Sequence, residues 1–197
     1  REELSDDLQT ALGDGAIVAP LIMMRASLET GGAESVGKRQ GLRVGGVMVY
    51  GVDQRFWKLV QHGEVSVPQA GEVVLSEGVA AELGEGLVSG EEVRLWMELP
   101  NAIPRDSLLG DRDNDTIDLP LEVRGTFGPG DAVARRGVGR FDLNPSQQLP
   151  KIAFVALSTL QETLALNKRR VRNREQRRFD EYPSRVNSLV VSGSDRE

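Results

Sequence analysis

Three groups of residues in this 197-residue sequence carry side chains of types that could do chemistry. The first centres on His62, the only histidine, which with Ser66 or Ser76 and an acid could supply the base of a Ser-His-acid device. It stands in the polar stretch QHGE and reads as a solvated loop residue; Glu64 beside it does not change that. The second is DRDNDTIDLPLE, where Asp111, Asp113 and Asp115 alternate and Glu122 follows eleven positions after Asp111, the ligand order of a calcium loop. That match is partial. The sixth position, a glycine in such loops, is Thr116, Pro120 stiffens the far half, and a strand follows instead of a helix, so the stretch reads as a solvated acidic loop. The third is KRRVRNREQRR, with Lys168, Arg169, Arg170, Arg172, Arg174, Arg177 and Arg178 against one acid. Its local charge is +6, so the other 186 residues carry −12 of a chain whose net charge is −6. It reads as an exposed helix end or hairpin with a solvated face, or as a contact for an acidic partner surface or lipid headgroups. Nucleic acid suits it less, because the rest of the chain is acidic and no aromatic interleaves with the basic run.

Composition narrows the chemistry further. Zero cysteines remove thiol catalysis, thiolate metal sites and disulfides, and a single histidine removes any multi-histidine metal centre. No cofactor is expected, and no enzyme. Aromatics make up only 5% while glycine reaches 22 residues, the balance of an aliphatic core with many turns. No apolar run approaches the roughly 20 residues that span a bilayer, so the chain reads as soluble. It opens at Arg1 without methionine and inside a helix-like stretch, which suggests a piece of a longer protein.

The elements that must position these groups are organised around residues 73–99. Val73, Val74 and Leu75 form a short strand, Ser76 is the expected N-cap, Glu77 suits the first helical turn, and Val79, Ala80 and Leu83 recur at helical spacing before Gly84. After a glycine turn, Val93, Leu95 and Met97 alternate with polar neighbours as in a half-buried strand. Upstream, Leu4, Leu8, Ala11 and Leu12 share one face of a helix over residues 2–12. Residues 16–28 read as a strand confined to a sheet edge by Pro20, residues 42–52 as a second strand, and Asp53 as the cap of a short helix with Phe56 and Trp57. Residues 100–120 and 128–150 read as long loops around a strand at 121–127. Residues 152–157 form a buried strand, followed by a helix with Ser158 as cap and Gln161 as its capping-box partner, and residues 186–191 close the chain as a strand.

That mixed order predicts an α+β fold of two subdomains. Residues 1–69 and 149–197 form a split mixed α/β subdomain, and residues 70–148 an inserted, mainly-β subdomain with its own core around Val74, Leu75, Leu83, Val93, Leu95 and Val123. The split requires the strands at 16–28 and 186–191 to share a sheet.

Taken together, these stretches resemble the extracytoplasmic core domain of MacB/FtsX-type ABC-transporter permeases. The resemblance rests on VMVYGVDQRFWKLV, VVLSEGVAAELG, GEEVRL, LEVRGTF and FVALSTLQETL with VNSLVV, in that order along nearly the whole chain. The acidic loop and the basic tract depart from it. The resemblance implies the split two-subdomain arrangement, placement between two transmembrane helices on the outer side of the bacterial cytoplasmic membrane, and coupling of cytoplasmic ATP hydrolysis to movement of a lipoprotein, peptide, drug or partner protein. It also implies a cytoplasmic ATPase subunit reached through the transmembrane part, and a homodimeric or heterodimeric permease. ATP would bind elsewhere, in keeping with the lack of a phosphate-loop sequence here. A free-standing binding module and, more remotely, a hydrolase through His62 are the alternatives.

Overall fold

A computed structural model describes residues 2–13, 15–31, 41–60, 65–84, 87, 89–98, 116–128, 138, 150–173 and 178–192. His62, Asp111, Asp113, Asp115, Arg174 and Arg177 lie outside the described residues. The elements in chain order are α1 (Glu3–Leu12), β1 (Val18–Thr30), β2 (Arg43–Val52), α2 (Gln54–Leu59), β3 (Glu72–Ser76), α3 (Glu77–Glu82), β4 (Glu92–Glu98) and β5 (Thr116–Phe127). They continue with β6 (Ile152–Ala156), α4 (Leu157–Thr163), β7 (Arg169–Asn173), β8 (Arg178–Tyr182) and β9 (Ser188–Val191).

Six of these strands close on themselves. β1 runs antiparallel to β2, β2 parallel to β6, β6 antiparallel to β3, β3 parallel to β5, β5 antiparallel to β4, and β4 antiparallel to the far half of β1. The ring leaves none of the six as an edge, and closure removes the unpaired backbone groups that an open sheet exposes. The expected split α/β subdomain with a separate β insert is therefore overturned, because β3, β4 and β5 from the middle of the chain pair with β6 and β1 from its ends in one barrel. The first and last strands do share a sheet: β9 extends the wall by pairing Val18–Leu21 with Val191–Ser188.

Side-chain alternation divides the core in two. Ile22, Leu28, Val47, Val49, Val73, Leu75, Val93, Leu95, Val123 and Val155 form the barrel interior. Residues of opposite parity on the same strands, including Leu21, Tyr50, Val74 and Phe154, form a second cluster with Phe56 and Trp57 of α2. Phe154 is fully buried there between Tyr50, Phe56, Trp57 and Phe127, with ring centroids 5.3–5.7 Å away. β3 and β6 run in opposite directions, so α3 and α4, which follow them, close opposite ends of the barrel. Val79 and Leu83 enter from one end, Leu157 and Leu160 from the other.

The ring has an internal symmetry. Exchanging β1-β2-β3-α3 with β4-β5-β6-α4 reproduces every strand neighbour and every relative direction, so the barrel consists of two topologically equivalent halves.

Several local expectations give way to the barrel. β1 is not an edge strand; Pro20 is tolerated because the β2 pairing begins only at Leu21. Likewise β5 begins at Thr116, inside the expected acidic loop, and Pro120 precedes the start of the β3 pairing at Glu122. Glycine makes the bend in β2: Ala26 faces Val47 but Leu28 faces Val44, so β2 holds an extra residue at Gly45–Gly46, where Gly46 has φ +71°. Ser76 does not cap α3 with its hydroxyl; its Oγ accepts from the Ile152 N–H at 3.1 Å and ties β3 to β6. Ser158 lies inside α4, which has no side-chain cap, and Gln161 makes no capping box. The apolar stripe of α1 is largely uncovered, with Leu4 48% and Leu12 50% exposed.

Candidate functional site

Two constructions stand out beyond the barrel: a clamp at the start of the chain and a basic arm near its end. The clamp is built on α2. Asp53 caps that helix as expected, its Oδ1 accepting from the N–H groups of Arg55 at 2.9 Å and Phe56 at 3.4 Å. Its Oδ2 accepts from Arg55 Nε at 2.7 Å, which aims the guanidinium at α1. Arg55 Nη1 then donates to Asp6 at 2.8 Å and to Ser5 Oγ at 3.1 Å, and Nη2 lies 3.4 Å from Glu2 Oε1. The other Glu2 oxygen accepts from Gln161 Nε2 of α4 at 2.9 Å. The Glu2 N–H donates to the Ser184 carbonyl at 3.1 Å. Burial pushes the Glu2 carboxyl upward, but hydrogen bonds from Ser184 and Gln161 and the nearby Arg55 charge outweigh it and hold it below its ordinary value. Alongside lies a groove of about 470 Å³ at the ends of the parallel strands β2 and β6, lined by Glu2, Asp53, Trp57, Pro68 and Gln161 among others. The clamp fastens one end of the chain to two helices; its polar groups are already engaged with one another.

The arm is the two-stranded sheet β7–β8, separate from the barrel sheet. Of the two structural forms expected for the basic tract, a helix end or a hairpin, the hairpin is the one realised. Its backbone register sets Arg169 opposite Tyr182, Arg170 opposite Glu181, Arg172 opposite Phe179 and Asn173 opposite Arg178. Lys168, Arg169 and Arg170 are exposed, as are Phe179 at 58% and Tyr182 at 40%. The Arg169 guanidinium carbon stands 5.4 Å from the Tyr182 ring centre, and that of Arg170 5.4 Å from Phe179. Such stacking holds a cation over an aromatic face without removing it from water. Arg170 also pairs with Glu181 at 3.0 Å, an exposed contact of small energetic weight. The base of the arm is fastened by the Arg185 N–H to the Leu166 carbonyl at 2.8 Å, next to the Glu2–Ser184 contact.

The remaining candidates do not converge. Glu122 is in the middle of β5, in register with Glu72 and Glu92 on its two neighbours, and Arg124 and Arg94 lie beside that carboxylate row. Among the described residues, no group of three or more His, Cys, Asp or Glu side chains is placed to hold a metal. Ser66 is exposed on a connection, whereas Ser76 is buried in the barrel wall, so the two serines considered with His62 occupy different surroundings.

No protein-family model matches this chain, and no curated protein matches it.

Sequence reasoning missed two things here. The aromatic component of the basic tract comes from RFDEY, which lies beyond its end and joins it only through the hairpin register. The second is Arg55, whose signal in the sequence is its place two residues after a capping aspartate.

Proposed function

We propose that this chain is the extracytoplasmic domain of an ABC-transporter permease of MacB/FtsX type, a non-catalytic module that conveys ATP-driven movement to a lipoprotein, peptide, drug or partner protein outside the membrane. The observation that carries the reading is the ordered set of five sequence stretches that resemble that family; the closed barrel is not the split arrangement that the resemblance implies, so the reading rests on those stretches and not on the fold. Each falls on a junction or strand of the barrel: VMVYGVD runs through β2 into the Asp53 cap, VVLSEGVAAELG covers β3 and α3, GEEVRL enters β4, LEVRGTF is the second half of β5, and FVALSTLQETL covers β6 and α4. The clamp supports it mechanically. On this reading a membrane helix precedes Glu2, and its displacement would pull directly on α2 and α4, at the barrel end where β2 and β6 terminate. A cytoplasmic ATPase subunit is the implied partner through that membrane part, and the full permease would be a homodimer or heterodimer.

The residues encoded before Arg1 and after Glu197 test the reading. Each side should hold an apolar run of about 20 residues. Polar flanks on both sides would leave a free-standing binding module in its place.

A further inference from the structure

We propose that the β7–β8 hairpin is a membrane-contact arm whose arginines bind the anionic phosphate headgroups of a bilayer. The inference rests on the permease reading for its setting and on the arm's own chemistry for its ligand. A two-stranded ribbon is marginally stable by itself, and here it stands outside the barrel sheet with Phe179 and Tyr182 exposed. Its composition, guanidinium groups stacked on aromatic rings, suits the bilayer interface, where rings sit at headgroup depth and cations meet phosphate.

Charge selects the face. Residues 168–182, the arm with Lys168, carry seven basic and three acidic side chains, a net +4, against −10 for the rest of the chain, so an anionic bilayer attracts the arm and repels the remainder. Arg169 and Tyr182 lie on one face of the ribbon and Arg170 and Phe179 on the other, so the arm would meet the headgroups edge-on, with the rest of the molecule turned away. Location agrees: the base of the arm is hydrogen-bonded to Glu2, where the proposed membrane helix would enter. Leu4, exposed two residues further on, adds apolar surface close to that entry point. An acidic protein surface could engage the same arginines and rings; what favours lipid is the position of the arm beside Glu2, and no binding to vesicles of either kind is the outcome that a protein partner predicts.

The test is co-sedimentation of the complete 197-residue chain with vesicles of phosphatidylglycerol and phosphatidylcholine, against vesicles of phosphatidylcholine alone. Binding should require the anionic lipid, weaken as salt rises, and persist in millimolar inorganic phosphate. Each arginine near such a surface contributes about a fivefold factor, so Arg169→Ala with Arg170→Ala should lower partitioning on the order of 30-fold while the melt is unchanged. Arg94→Ala with Arg124→Ala, on the barrel, controls for total charge and should change it less than threefold. Equal binding to neutral vesicles, no binding to either, or equal losses from the two double variants would overturn the proposal. Apolar flanks with no vesicle binding would reject the arm and keep the permease reading. Polar flanks with arm-dependent vesicle binding would do the reverse.

Discussion

Gly51 and Leu160 offer a direct measure of how closely α4 closes its end of the barrel. A methyl group added at Gly51 would stand 2.7 Å from Leu160 Cδ1, 3.3 Å from its Cγ and 3.5 Å from Ile22 Cβ. Leu160 is fully buried among Ile22, Val49 and Val155, so it has little room to turn away. Overpacking of this kind costs about 1–3 kcal/mol, offset by about 0.4–1 kcal/mol from the stiffer unfolded chain, which leaves Gly51→Ala destabilised by roughly 1–2 kcal/mol. Leu160→Ala removes a buried side chain and should cost about 2–5 kcal/mol. The double variant is the informative one, because the new methyl enters space that the shortened residue 160 has vacated. Its loss should fall short of the sum of the singles by about 1 kcal/mol or more, read from urea unfolding with unchanged m-values. Additivity within about 0.5 kcal/mol would mean that the two residues do not touch, and that α4 does not plug the barrel as described.

Further expectations concern ionisation and metal. Glu2 has a folded-state pKa below its ordinary value of 4.5, so it contributes stability above the unfolded pKa that is lost as pH falls through the folded one. Glu2→Gln should therefore be less stable than the parent at neutral pH, with the gap closing below about pH 4.5; a gap independent of pH would show that the charge is not what the clamp uses. If the acidic stretch is a solvated loop, millimolar calcium should leave the melting temperature unchanged, since a ligand of the folded state raises it. A rise of several degrees that vanishes in Asp113→Ala would reinstate the calcium reading.

Much of the local structure was legible because it is encoded by neighbours. Asp53 capped the helix expected of it, the alternation of Val93, Leu95 and Met97 gave β4, and the strands expected at 73–75 and 152–157, each followed by a helix, are the units that occupy equivalent places in the two halves. Barrel closure was not legible. Strand β1 exchanges partners along its length, β9 for its first residues and β4 for its last, and nothing local to β1 specifies either. The same apolar residues that suggested a separate middle core, Leu75, Val93, Leu95 and Val123, need Ile22 and Val155 from the ends to complete it. Hydroxyl roles were misassigned for a related reason: Ser76 stands where a cap belongs, but the nearby β6 backbone presents the Ile152 N–H that takes its oxygen. At the arm, the basic residues were visible at once, while their aromatic partners became visible only when the chain turned back.

The placement of the domain outside the membrane is the central functional claim, and one labelling measurement addresses it. The 197 residues contain no cysteine, so Ser66→Cys on an exposed connection provides a single reporter, placed in the full-length protein with any cysteines elsewhere removed. A membrane-impermeant maleimide applied to intact cells whose outer barrier has been permeabilised should label Ser66→Cys to the same extent before and after lysis of the cytoplasmic membrane. Labelling that appears only after lysis would put the barrel in the cytoplasm and contradict the permease reading.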